Sequence, residues 1–286
     1  MEVFFFAMIL PKIAIQGVKG SFHQVAAENY FSGAIEIVPA RSFQGLIEMA
    51  EDSLQSDSAV MAIENSIAGS IMPNYLILLE SDLHVVGEVY LRIGQNLMVS
   101  PGVKIEELKE VHSHHMAIQQ SRKFFKSYPH IHLVETEDTA LSAKHVSDNK
   151  LTEVGAIASL SASQLYDLEI IHPHIETVKN NFTRFLILSR DGNGEVRNGF
   201  NKASIHFKVA HGPGCLVKAL KVLDELGISM SKIQSFPVVE KEWQYYFHCD
   251  IEFDTKEQFD EAITSMKMVT EMLKVLGVYK KGETII

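Results

Sequence analysis

Cysteine is scarce: the 286 residues contain two, and one tryptophan. Two cysteines cannot build a disulfide framework, and no Cys-x-x-Cys pair is available for a zinc ribbon or a thioredoxin-type site. Positive charge is also short, with 26 Lys and Arg against 36 Asp and Glu for a formal net charge of −10. A nucleic-acid binder needs a basic surface to displace phosphate counterions, so that class is excluded. Neither G-x-x-x-x-G-K-[ST] nor G-x-G-x-x-G occurs, which removes the P-loop and the Rossmann fingerprint. Long apolar runs are missing too. The run Val3–Leu10 is too short to span a bilayer, follows Glu2, and lacks a basic n-region and a small-residue cleavage site. It reads as an extension of the first strand, with Met8 as an alternative start, in a cytoplasmic protein. The remaining composition, 46% hydrophobic and 22% charged, is that of an ordinary globular chain.

From residue 12 to about 190, short apolar runs alternate with helix-period segments. Strands are expected at 12–16, 35–38, 59–63, 84–91, 96–99, 110–113, 131–134, 155–158 and 183–189. Helices are expected at 21–31, 42–51, 73–80, 114–126, 138–147 and 159–166. This alternation is the signature of α/β architecture, here two α/β lobes with a cleft outside the strands' carboxyl ends. Asp191-Gly192-Asn193-Gly194 to Asn198-Gly199 is a polar, glycine-rich linker. Beyond it come a strand at Ala203–Ala210, a helix at Gly214–Leu226, strands at Lys232–Val239 and Gln244–Phe253 joined by Glu240-Lys241-Glu242, a helix at Lys256–Leu276 and a strand at Val278–Lys280. The order βαββαβ predicts a small ferredoxin-like module.

Three motifs could carry chemistry. Gln16-Gly17-Val18-Lys19-Gly20-Ser21-Phe22-His23-Gln24 leads from a strand into a helix. Ser21 and Gln24 fit a capping box, and the same helix start is open to an anion; the plain strand-to-helix turn is the stronger reading. Glu64-Asn65-Ser66-Ile67-Ala68-Gly69 places three polar side chains at a strand's carboxyl end, evenly balanced between a site and ordinary turn residues. Asn180-Asn181-Phe182-Thr183-Arg184-Phe185 puts a hydroxyl and a guanidinium at the start of an apolar strand. Arg184 suits two-point carboxylate binding, or is an edge-strand residue paired to a surface acid. The histidines cluster at 112, 114 and 115, at 130 and 132, and at 172 and 174, but no acid completes a ligand pattern, so no metal is expected. Cys215 and Cys249 read as buried, inert thiols.

Together the motifs resemble the prephenate dehydratase family over nearly the whole chain. Gly17–His23 resembles its G-x-x-G-[TS]-[FY]-[ST] block, Glu64–Gly69 its E-N-S-x-x-G block, and Asn181–Phe185 its N-x-T-R-F block. Ser113-His114-His115-Met116-Ala117-Ile118-Gln119-Gln120-Ser121 resembles S-H-P-Q-A-L-x-Q-C. The resemblance implies a two-lobed periplasmic-binding-protein-like catalytic domain over 12–190 and a ferredoxin-like ACT regulatory domain over 201–281. It implies decarboxylating dehydration of prephenate to phenylpyruvate, with no cofactor. Thr183 would hydrogen-bond the departing hydroxyl. Asn65, Ser66, Asn181 and Gln120 would hold carboxylate and hydroxyl groups, Arg184 would supply countercharge, Ser21 an anion contact, and Phe22 and Phe185 apolar walls. Glu64 or Glu88 would take the ammonium of the aminated analogue, arogenate.

In the regulatory part, His211-Gly212-Pro213-Gly214-Cys215-Leu216-Val217 resembles the P-G-A-L turn and Gln234-Ser235-Phe236-Pro237 the E-S-R-P strand. The family binds phenylalanine there, at an interface between two ACT domains, which implies a homodimer or homotetramer. Gln234 and Phe236 remove charged contacts from that strand, so phenylalanine is expected to bind through the turn. Other departures are Gln95 near a usual histidine, His115 and Met116 for Pro-Gln, and Glu176 and Thr177 for Gln-Asp. A non-enzymatic amino-acid sensor is the rival reading from another class.

Overall fold

The computed structural model describes residues 10–192, 199–238 and 244–286. The first nine residues, most of the glycine-rich linker and the turn Glu240-Lys241-Glu242 lie outside the described residues. The chain packs as two compact units. One holds the chain as far as Ser70, with Val89–Phe185 and Thr284–Ile286; the other holds Ile71–Glu88 and Leu186–Glu283.

The first half alternates strand and helix as its hydrophobic pattern demands: β1 (Lys12–Gln16), α1 (Phe22–Tyr30), β2 (Glu36–Ala40), α2 (Phe43–Glu51), β3 (Ser58–Asn65), β4 (Gly69–Ser70), α3 (Met72–Glu80) and β5 (His84–Arg92). There follow β6 (Asn96–Val99), β7 (Glu110–His114), α4 (His115–Phe125), β8 (His132–Thr136), α5 (Thr139–Asp148), β9 (Val154–Ala158), α6 (Leu160–Leu165), β10 (Glu169–His172) and β11 (Phe182–Ser189). One sheet has the order β16-β5-β11-β3-β1-β2, where β16 is Thr284–Ile285 and β4 pairs off β3. β1 runs parallel to β2 and β3. A second sheet has the order β10-β6-β9-β7-β8. Helices cover both of its faces: Ala117, Ile118 and Phe125 of α4 pack with Val99, Val111 and Ile157, and Ala140, Ala143 and Val146 of α5 with Met98, Ala156 and Ala158.

The C-terminal part runs β12 (Lys202–Lys208), α7 (Cys215–Glu225), β13 (Ser229–Pro237), β14 (Tyr245–Glu252), α8 (Lys256–Val269) and β15 (Met272–Tyr279). Its antiparallel sheet has the order β13-β14-β12-β15. One face, with Ala203, Ile205, Phe207, Cys249 and Ile251, is covered by α7 and α8. The helix expected at 256–276 ends at Val269, and residues 272–279 form the last strand instead. The helical period continues through this stretch, but Thr270 folds its hydroxyl onto the Met266 carbonyl at 2.8 Å and the chain then pairs along all of β12. The short strands β4, β10 and β16 were not expected either.

The other face of that sheet carries Ser204, His206, His248 and Asp250, all fully buried. It is covered from within its own unit by α3. Tyr75, without exposed surface, lies with its ring centre 4.7 Å from His248 and 6.2 Å from Phe236. Lys274 donates to the Leu79 and Ser81 carbonyls at 3.0 and 2.9 Å, holding the carbonyl end of α3. So 71–88, which the sequence pattern groups with the chain before 190, packs with residues 186–283.

Candidate active site

β3 ends in Glu64 and Asn65, and β11 begins with Phe182 and Thr183 beside it. The Ser66 amide donates to the Phe182 carbonyl at 2.8 Å, and the Ser66 hydroxyl receives the Phe182 amide at 2.9 Å. Ser66, expected to hold substrate, is thus a clamp between the two segments.

Asn65 is the centre of the arrangement. Its Oδ1 accepts the Ile67 and Ala68 amides at 3.0 and 2.9 Å. Backbone N–H groups only donate, so the amide orientation is settled and Nδ2 must face the other way. There it donates to Asn181 Oδ1 at 2.7 Å, Thr183 Oγ1 at 3.0 Å and the Phe182 carbonyl at 3.2 Å. Asn181 passes the polarity on: its Nδ2 donates to Gln120 Oε1 at 3.0 Å. Two donors therefore remain at the ends of the network. Thr183 accepts from Asn65 and keeps its own O–H, and Gln120 accepts from Asn181 and keeps its NH₂. Asn181 has no exposed surface, whereas 9% of Thr183 is exposed. A cavity of about 560 Å³ is lined by Ile67, Ala68, Met116, Gln119, Gln120, Thr177 and Val178. Thr177 reaches it from the loop before β11, where its amide donates to the Gln120 carbonyl at 2.8 Å.

The remaining expected residues are placed differently. Ser21 is buried and caps α1: its hydroxyl accepts the Gln24 amide at 3.4 Å, but Gln24 Oε1 accepts the Gly20 amide at 2.8 Å and the Ser21 amide donates to the Val18 carbonyl at 3.2 Å, so the cap forms without the reciprocal half of the expected capping box. The preceding turn is pinned down by the Ser159 hydroxyl on the Gly20 carbonyl at 2.6 Å and the Tyr166 hydroxyl on the Lys19 carbonyl at 2.6 Å. Gly20 has φ +87°, and a Cβ there would lie 3.0 Å from Ala162 Cα, so this turn is built for contact with α6. Phe22 is half-buried beside it, and Glu64 is half-buried next to Asn65.

Successive strand residues face opposite sides, so Arg184 points away from Thr183. It is 4% exposed, and its Cζ lies 5.9 Å from the centre of the Tyr90 ring. Phe185, 1% exposed, returns to the Thr183 face and meets the His23 ring edge-on at 5.0 Å. Glu88 is not open to a substrate ammonium. It is a fully buried carboxylate bound to Lys202 Nζ at 3.0 and 3.1 Å and to the Gly282 amide at 3.0 Å.

In the second unit, the turn His211–Gly214 is exposed and Gly214, at φ +78°, opens α7. Cys215 and Leu216 are half-buried and Val217 is exposed, so Cys215 is not the core thiol expected. Cys249 is buried, and burial pushes its thiol up to about 12. On β13, Ser235 and Pro237 are exposed and Gln234 is half-buried. Phe236 turns inward against Tyr75 and His206.

Residues 13–193 match the family model described as prephenate dehydratase. The chain belongs to the prephenate dehydratase family. It is 36% identical over 291 residues to arogenate dehydratase 2 of Petunia hybrida, covering 96% of this chain and 73% of that protein. Among solved structures it is similar to GqqA, described as a novel type of quorum quenching acylase, with TM-score 0.86 and 29% identity over 94% of this chain and 98% of that one. The same fold occurs in prephenate dehydratase from Arthrobacter aurescens in complex with L-Phe, with TM-score 0.85 and 23% identity over 94% and 90% of the two chains. This dehydratase family member is thus a carbon–oxygen lyase with a periplasmic-binding-protein-like catalytic fold. No helix among the described residues is long and apolar enough to cross a membrane.

Proposed function

We propose that this dehydratase acts on prephenate, releasing the ring carboxylate as CO₂ and the ring hydroxyl as water to give phenylpyruvate on the route to phenylalanine. The observation that carries the reading is the oriented network Asn65–Asn181–Gln120 with Thr183 at its branch. Ring aromatisation drives the step, and the electron pair left by decarboxylation expels the hydroxyl, so the chain must supply hydrogen bonds and not a redox group. Thr183 donates to the departing oxygen. A threonine is too weak an acid to give up its proton freely, so it orients and relays. Gln120, Asn65 and Asn181 complete the polar wall, with Ser66 as their clamp. Arg184 acts from the other face of β11, beneath the strand that carries Thr183. Phe22 and Phe185 are the apolar side of the site.

We assign the catalytic domain to 12–190 and an ACT regulatory domain to 201–281, with phenylalanine bound by the His211–Val217 turn and the Gln234–Pro237 strand of a homodimer or homotetramer in the cytoplasm. With Phe236 buried, the turn's backbone carries most of that contact. Steady-state assay of phenylpyruvate from prephenate, with and without phenylalanine, tests the reading, and a higher kcat/KM on arogenate would reverse the substrate assignment and make Glu64 the ammonium partner. Thr183→Ala should lose at least about tenfold in kcat, and a smaller loss would remove Thr183 from its role.

A further inference from the structure

The ladder between β1 and β3 ends at the pair Ile15 and Val60, although β3 continues to Asn65. Beyond that point the Ala62 amide has an acceptor on a side chain, His23 Nε2 at 3.3 Å, from the first turn of α1. The same ring meets Phe185 edge-on at 5.0 Å and lies 5.8 Å from Phe43 of α2. One imidazole thus touches both strands that carry the site: Ala62 stands three residues before Asn65, and Phe185 two residues after Thr183 on the same face.

We propose that His23 is a positioning residue of this dehydratase, its neutral imidazole tying the catalytic end of β3 to α1 through the Ala62 amide and seating Phe185, so that Asn65 and Thr183 meet. The kinetic part of this rests on the function proposed above. Nε2 accepts, so the ring proton sits on Nδ1, and a doubly protonated ring would present a donor to a donor. Burial alone pushes the His23 pKa down to about 4, and α1, α2, β3 and β11 bring Phe43, Ala62 and Phe185 against the ring. The ring is therefore neutral throughout the ordinary working range. The tie to Ala62 thus holds β3 beyond the end of its ladder with β1.

Two variants test it. His23→Leu keeps apolar volume and removes the acceptor; His23→Gln places an amide oxygen close to where Nε2 stands. Hydrogen–deuterium exchange over peptides covering residues 59–65 should quicken in His23→Leu and stay near wild type in His23→Gln. With prephenate, His23→Leu should lose about tenfold in kcat while KM stays within about twofold, and His23→Gln should recover to within about threefold of wild type. Unchanged exchange and kcat in a folded His23→Leu would overturn the proposal, as would a Gln variant no better than Leu. If His23→Leu does not fold, His23→Asn, whose amide is too short to reach Ala62, takes its place against His23→Gln. The exchange measurement needs no substrate, so it decides the tie even if the chain fails to turn over prephenate.

Discussion

Asn65→Asp changes a donor into an acceptor with almost no change of shape, and it isolates what the centre of the site does. The two amides on Oδ1 keep their acceptor. On the other side, three oxygens that receive Nδ2 now face a carboxylate oxygen. Nδ2 has two hydrogens, so about two hydrogen bonds are lost, at ~1 kcal/mol net each. Asn181 Oδ1 belongs to a residue with no exposed surface, and orphaning it adds ~1–3 kcal/mol. The sum is roughly 3–5 kcal/mol, a fall of about 6–20 °C in a thermal melt at the usual sensitivity for a domain of this size. Turnover should fall about a hundredfold, because Thr183 loses the donor that left its own proton free for the departing oxygen. Acidification protonates the new carboxyl and restores one donor, so part of the lost stability should return as pH falls, a gain that wild type does not show. Parallel melts and prephenate assays across pH measure this. A variant that kept kcat within about threefold at pH 7 would show that the Asn65 amide does not set the Thr183 hydroxyl, and the donor argument would fail.

Other expectations follow from single contacts. Lys202→Met leaves Glu88 charged and buried and should cost ~3–5 kcal/mol in denaturant unfolding, while the double variant with Glu88→Leu should lie closer to wild type; equal losses in both would refute a coupled pair. Gly20→Ala forces a side chain into a left-handed turn against α6 and should lower stability by ~1–3 kcal/mol, read as a lower melting temperature. His23 has a folded pKa of about 4 against an ordinary 6.5, so below pH 6.5 the unfolded chain takes up a proton that the native one refuses. Its contribution to stability is complete above 6.5 and drains away as pH falls to about 4, by at most ~3 kcal/mol, and His23→Gln should remove that slope. His206 is pushed well below the ordinary histidine range, first by burial and then by His248 and Lys274. It adds an acid sensitivity of the same sign to the second unit, and His206→Leu should flatten it in pH-dependent melts.

The helices and strands before residue 190 were legible because each obeys one period, apolar at every third or fourth position or in short continuous runs, and most helix starts carry a side-chain cap, as Ser21, Ser42, Asp138 and Ser159 show, whereas α3 starts uncapped with Pro73 in its first turn. The exception confirms the cause. In 270–276 the apolar spacing fits helix and strand alike, and the choice is made by β12, whose free edge is distant in sequence. The site was legible to the extent that its residues came from strand ends and turned to one face. Asn65, Asn181, Thr183 and Gln120 come together in one hydrogen-bonded network. That Arg184 faces away from Thr183 was available from the two-residue period of a strand, and chemical suitability for binding a carboxylate does not override it.

What stayed hidden depends on contacts that leave no local trace. Glu88 and Lys202 are 114 positions apart and look like surface charges until both lose their water. Tyr75 lies in an apolar helix that reads as part of an α/β lobe. Yet the face it covers is the polar side of β12 and β14, where Ser204 donates to Asp250 at 2.5 Å and His248 bonds Asp250 at 3.1 Å. A sheet with alternating residues shows one polar face to sequence reasoning, and that face is conventionally assigned to solvent. Here it is buried: Ser204, His248 and Asp250 bond one another, while both ring nitrogens of His206 stay without a hydrogen-bond partner among the described residues and the ring is held by packing against Phe236 and His248. Phe236, where the family pattern has arginine, fits the same logic: at a position facing Tyr75 and His206 an aromatic ring is satisfied by packing, whereas a guanidinium would need a partner for every donor it brought in.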